Sequence, residues 1–108
     1  MAVLIPPRFG LEVVPDRARV TLRVSGELDI ATAPKLQSAV DDLWQSGWCD
    51  VAIDFSDVAF VDSTGLATLL SLCHAAQTDG RPLAITGPCP PLDRLVAISK
   101  LEHALARG

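Results

Sequence analysis

Val51 to Ala76 reads VAIDFSDVAFVDSTGLATLLSLCHAA, and the change of period inside it decides the fold. Val51-Ala52-Ile53-Asp54-Phe55 is a short apolar run rich in β-branched residues, and a second run, Val58 to Val61, follows the polar Ser56-Asp57 step. Both have the composition of buried strands. From Thr64 onward Leu66, Leu69, Leu70, Cys73 and Ala76 recur at three- and four-residue spacing, which is one face of a helix. A strand therefore turns tightly into a helix at Asp62-Ser63-Thr64-Gly65. Asp, Ser and Thr suit that turn because their oxygens accept from the unpaired N–H groups of a first helical turn, and Ser63 is read as the capping residue. Gly65 adds close backbone access.

The 108 residues suffice for one domain with a core and are too few for two. Hydrophobic residues make up 49% of the chain, yet no apolar stretch approaches the roughly 20 residues that span a bilayer, and Met1 to Gly10 lacks a signal-peptide pattern. A soluble, cytoplasmic protein without a membrane anchor is expected. The net charge of -4 argues against a phosphate-backbone footprint and so against direct nucleic-acid binding. Cys49, Cys73 and Cys89 are odd in number and widely spaced, with only two histidines beside them. That pattern fits reduced thiols, not disulfides or a metal site, and no metal or cofactor is expected.

Met1 to Pro7 reads as a loosely held lead-in. Phe9, Leu11 and Val13 alternate with Gly10, Glu12 and Val14, the pattern of a strand with one buried face, and Pro15-Asp16-Arg17 interrupts it. Val20, Leu22 and Val24 alternate with Thr21, Arg23 and Ser25, giving a hairpin or closely adjacent pair that ends at Ser25-Gly26-Glu27. Thr32 ahead of Pro34 signals a helix start, Leu36, Ala39, Val40, Leu43 and Trp44 follow at helical spacing, and Gly47 closes the helix. Trp44 and Trp48 read as packing around its end. After the central helix, Asp79-Gly80 is a stop, Leu83-Ala84-Ile85 a short strand, and Leu92, Leu95, Val96 and Ser99 a short helix. His103-Ala104-Leu105 fits either a last strand or a helix fragment. The result is a small α/β domain with a mixed sheet covered by helices.

Most catalytic constellations fail on these residues. Ser63 on a strand-to-helix turn is superficially a nucleophile elbow, but that motif is GxSxG and Val61 stands at the first glycine position. His74 lies eleven residues along the same helix, roughly 16 Å away, too far to take the Ser63 proton. His103 is under no such constraint, but nothing in the chain signals an oxyanion hole, so hydrolysis is set aside. Asp54, Asp57 and Asp62 could suggest a phosphate-accepting receiver. A receiver needs an acidic pair after its first strand, and here only Asp16 follows Val13-Val14-Pro15; the acids read instead as strand ends and turn caps.

Ser25-Gly26-Glu27-Leu28-Asp29 with Thr32-Ala33-Pro34-Lys35-Leu36, and Asp54-Phe55-Ser56-Asp57-Val58 leading to Val61-Asp62-Ser63-Thr64-Gly65-Leu66, resemble the two signature regions of the STAS domain, in particular of bacterial anti-sigma factor antagonists. The resemblance runs over nearly the whole chain, residues 1–108, as a single domain. It implies a mixed four- to five-stranded sheet with helices mostly on one side.

The resemblance also implies that the protein is not an enzyme. Its unphosphorylated form would bind a serine-kinase anti-sigma factor and free the sigma factor, and phosphorylation would switch it off, a PP2C-type phosphatase resetting it. In the family the accepting serine follows the aspartate of the DS(S/T)G turn, which places it at Ser63, with Thr64 as secondary candidate. Asp29 and Asp62 fall on positions near that serine, and the partner-binding set is Asp29, Asp62, Ser63, Thr64 and Gly65. Lys100 stands where relatives commonly carry glycine, and the chain stops at Gly108, about where a final helix would begin. A monomer or weak dimer is expected, without the contacts of that helix. The alternative function is a regulatory or structural STAS subunit of a membrane transport assembly, contacting its partner through the same turn without phosphorylation.

Overall fold

A computed structural model describes residues 9–99; the lead-in, Lys100, His103 to Leu105 and the place of a final helix lie outside them. The elements are β1 (Gly10–Asp16), β2 (Arg19–Leu28), α1 (Ala33–Gln45), β3 (Asp50–Val61), α2 (Ser63–Asp79), β4 (Leu83–Thr86) and α3 (Pro90–Ser99). The strands form one sheet in the order β1-β2-β3-β4. β1 and β2 are antiparallel, and the β2–β3 and β3–β4 pairs are parallel, so the sheet is mixed and α1 and α2 are its crossovers.

The helices pack on one face of the sheet. Along β2 the side chains of Val20, Leu22, Val24 and Leu28 are buried, while Arg19, Thr21, Arg23, Ser25 and Glu27 are exposed or half-buried. The buried set joins Ile53, Phe55 and Ile85 from neighbouring strands with Leu36 and Val40 of α1, Leu69 and Leu72 of α2, and Leu92 of α3 in one core. Each such side chain stabilises the fold by about 1.5–3 kcal/mol relative to exposure. Leu72 belongs to the buried face of α2, whereas Leu70, expected there, is only partly buried. Trp44 and Trp48 are partly buried against the core, and the Arg81 guanidinium sits 5.4 Å from the Trp44 ring centroid. No helix among the described residues is long and apolar enough to cross a membrane.

Three expectations are corrected. β1 does not bury a face: Leu11 and Val13 lie opposite Val24 and Leu22 yet are 37% and 51% exposed, because β1 is an edge strand beyond the reach of the helical layer. Pro15-Asp16 does not interrupt the strand but ends it, paired with Val20 and Arg19, and the turn is Arg17-Ala18. An edge strand tolerates a proline, since one row of its N–H groups has no ladder partner. Finally, the two apolar runs of the central stretch form one strand, β3. The Ser56-Asp57 step is a bulge: from Arg23 to Ser25 β2 advances two residues while β3 advances three, from Asp54 to Asp57. A second shift, Gly26 to Glu27 against Val58 to Phe60, follows it.

Candidate functional site

The C-terminal ends of β2 and β3 lie side by side, with Leu28 in register with Val61, and the chain leaves both strands at the same end of the sheet. After β3 the backbone of Asp62 is extended, and its carboxylate Oδ1 accepts from the Gly65 N–H at 2.8 Å. Asp62 is therefore the N-cap of α2 and Ser63 its first residue. The expectation that Ser63 caps the helix is corrected, for the extended φ and ψ at Asp62 aim its carboxylate back over the first turn. Ser63 and Thr64 are exposed, and neither hydroxyl has a hydrogen-bond partner among the described residues. Both project from the positive end of a 17-residue helix.

The loop after β2 is built from the same residue types with another geometry. Asp29 Oδ1 accepts from the N–H groups of Ala31 (2.9 Å) and Thr32 (3.1 Å). The Thr32 hydroxyl accepts from the Asp29 N–H at 2.9 Å and donates to the Glu27 carbonyl at 2.8 Å. Thr32 thus precedes α1, but its side chain makes no cap to that helix and instead ties the loop to the end of β2. The sequence signal for this closed turn was Asp29 three residues before Thr32, read only as a helix start.

Two contacts join the loop to the Ser63 turn. The Asp62 N–H donates to the Leu28 carbonyl at 3.1 Å, extending the β2–β3 pairing one step past the strands. Gly65 packs so closely on Leu28 that a Cβ there would stand 2.8 Å from both the Leu28 carbonyl oxygen and its Cγ. Gly65 is buried: its lack of a side chain lets the α2 N-terminus approach β2 and so fixes where Ser63 stands. Asp29, Asp62, Ser63 and Thr64 are brought to one end of the sheet; Gly65 lies beneath them. Neither Asp29 nor Asp62 is in an ion pair among the described residues.

The other acids of the central stretch lie on the helix-free face. Arg23 is 3.4 Å from Glu12, 3.6 Å from Asp57 and 4.0 Å from Asp54. Asp54 Oδ1 accepts from the Ser56 hydroxyl at 2.6 Å and the Ser56 N–H at 2.9 Å. The hydroxyl bond foremost, with the N–H bond and Arg23, outweighs partial desolvation and holds the Asp54 carboxyl below the usual carboxylate range. This carboxylate is engaged in holding the bulge. His74 is exposed on α2, and no group of three or more His, Cys, Asp or Glu among the described residues could hold a metal ion.

Residues 12–107 match the family model described as Mlab, STAS domain. The anti-sigma-B factor antagonist of Staphylococcus aureus is 31% identical over 84 residues, covering 78% of each chain. Among solved structures, an anti-sigma factor antagonist from Mycobacterium paratuberculosis superposes with a TM-score of 0.75 at 24% identity, over 91% of this chain and 83% of that one. The unphosphorylated anti-sigma factor antagonist SpoIIAA superposes with a TM-score of 0.71 at 20% identity, over 94% and 88%. The phosphorylated form of SpoIIAA, from Bacillus, does so with a TM-score of 0.68 at the same identity, over 94% and 91%. At these identities the structural likeness establishes the fold.

Proposed function

The chain belongs to the STAS domain family and is a relative of the anti-sigma factor antagonists, which are regulators and not enzymes, and from that premise we propose that it is itself an antagonist controlled by phosphorylation of Ser63. In its unphosphorylated form it binds a serine-kinase anti-sigma factor in the cytoplasm and frees the sigma factor. The kinase then transfers the γ-phosphoryl group of ATP to Ser63 Oγ, ADP leaves, and the modified protein is released. A PP2C-type phosphatase restores the hydroxyl.

The observation that carries this reading is the exposure of the Ser63 hydroxyl at the first position of α2, with the cap made by Asp62 beside it. A serine that caps its own helix would have to give up that bond to be modified. Ser63 makes no such bond, so a kinase can take its hydroxyl without unwinding the turn. That SpoIIAA exists in unphosphorylated and phosphorylated forms on this fold supports the same reading.

Incubation with ATP and the serine-kinase anti-sigma factors of the same organism, followed by phosphopeptide mapping, tests it. Label is expected on Ser63 and absent from Ser63→Ala. Label that persists in that variant would move the site, with Thr64 the next candidate. A chain that binds its partner and is never labelled would favour the role in a membrane transport assembly.

A further inference from the structure

Around the Ser63 turn stand two large apolar side chains that the fold leaves in water. Ile30, in the loop after β2, is 74% exposed, and Phe60, near the end of β3, is 46% exposed. Simple alternation from the buried Val58 would turn Phe60 inward; the second register shift of β3 turns it outward instead, with Val61 taking the buried position. Phe60 lies opposite Glu27, and Val61 opposite Leu28, whose carbonyl is bonded by Asp62. Ile30 and Phe60 therefore stand within two residues, on either strand's exit, of the bridge that positions Ser63. Isolated apolar side chains on a surface are ordinary; two at the exits of adjacent strands, close in register to two acids without ion-pair partners, bring to one end of the sheet the residue types that anchor protein contacts.

We infer that Ile30 and Phe60 are the apolar anchors of the partner interface around Ser63, and that the partner surface they fit pairs an apolar socket with a basic side chain facing Asp29 and Asp62. This rests on the kinase reading of the site and adds what holds the kinase there. The charge of the patch identifies the occupant: a second copy would set Asp29 and Asp62 against like charges, whereas a basic partner surface complements them. The apolar pair supplies the desolvated centre in which such charges act, and a dianion on Ser63 would enter that same dry region.

The test uses the full chain and the serine-kinase anti-sigma factors of the same organism. Ile30→Ser and Phe60→Ser should each weaken binding at least tenfold by calorimetric titration and raise the KM for Ser63 phosphorylation with kcat retained. Phe60→Leu should restore most of the affinity. Ile98→Ser, which alters a still more exposed apolar side chain on α3, should bind as the unmodified protein does. Ile30→Ser and Ile98→Ser should melt within about 2 °C of the parent, since those side chains already stand largely in water, and Phe60→Ser, which gives up a half-covered ring, should stay folded with a loss of several degrees that Phe60→Leu largely restores. Label on Ser63 with unchanged affinity in both serine variants would overturn the anchors and leave the phosphorylation reading standing. Absence of binding and label in the parent would overturn both. Sedimentation showing a dimer that Ile30→Ser or Phe60→Ser dissociates would overturn the kinase as occupant in favour of a second copy.

Discussion

Ser63 and Asp62 divide between them two roles that either residue type could fill. Asp62 holds the first turn of α2 through the Gly65 N–H, and Ser63 is left exposed to react. Asp62→Ala should therefore cost about 1 kcal/mol of stability, the usual value of an N-cap side chain. Ser63→Ala should stay within about 0.5 kcal/mol of the parent, as an exposed position without a hydrogen bond does. Urea denaturation of the two variants checks the division; equal losses would mean that the serine shares the cap. The Asp54 carboxylate makes a different kind of prediction. Its pKa is lowered in the folded protein from 3.8, so its contribution to stability is complete above that value and is lost as the pH falls through the folded value. Stability should thus decline below about pH 4, and Asp54→Asn should flatten that decline. A parallel fall in both proteins would show that other carboxylates account for it.

At the scale of elements, what the sequence displayed and what it concealed follow from what a pattern can say. The period of α2 and the alternation of β2 are properties of a single segment, and both elements stand where their patterns put them, except that β2 does not end at Ser25-Gly26-Glu27 but runs on to Leu28, held there by its pairing with β3. The residues of the Asp62 turn were legible for the same reason, since a cap, a hydroxyl and a glycine are local needs. Alternation in β1 showed that its faces differ, but whether a helix covers one of them depends on where α1 and α2 end laterally. Leu11 and Val13 share the face of Val24 and Leu22 and still meet solvent. Bulges hide for a related reason: Ser56-Asp57 has the polarity of a break, and only its partner strand shows an added residue in a continuous ladder. The exposure of Phe60, which follows from the second shift, was equally invisible. A matched pair of substitutions tests the edge-strand description. Val13→Lys should change stability by no more than about 0.5 kcal/mol, while Val24→Ala, which empties a core position, should cost about 2 kcal/mol or more. A large loss on Val13→Lys would mean that the strand is covered.

For the molecule as a whole, the proposed switch requires that a phosphate change the surface without changing the fold. At Ser63 the added charge of about -1.5 to -2 meets the positive end of α2, which favours it by roughly 0.3–1 kcal/mol, while Asp62 opposes it by a similar amount. The Gly65 N–H is already taken by Asp62, so the phosphate has only the N–H groups of the first two helical residues to bind. The Leu28–Asp62 and Leu28–Gly65 contacts that place the turn involve neither hydroxyl. The fold should therefore hardly respond, and the effect should fall on the complex, where burying a dianion without a matching cationic pocket costs several kcal/mol. A penalty of even about 3 kcal/mol weakens binding more than a hundredfold. Titration of the kinase with the unmodified and the Ser63-phosphorylated protein, alongside a backbone NMR spectrum of each, measures this directly. The switch proposed here requires a loss of affinity of at least about a hundredfold, with shifts confined to the Asp29 loop and the first turn of α2; equal affinity for the two forms, or shifts throughout the sheet, would contradict it.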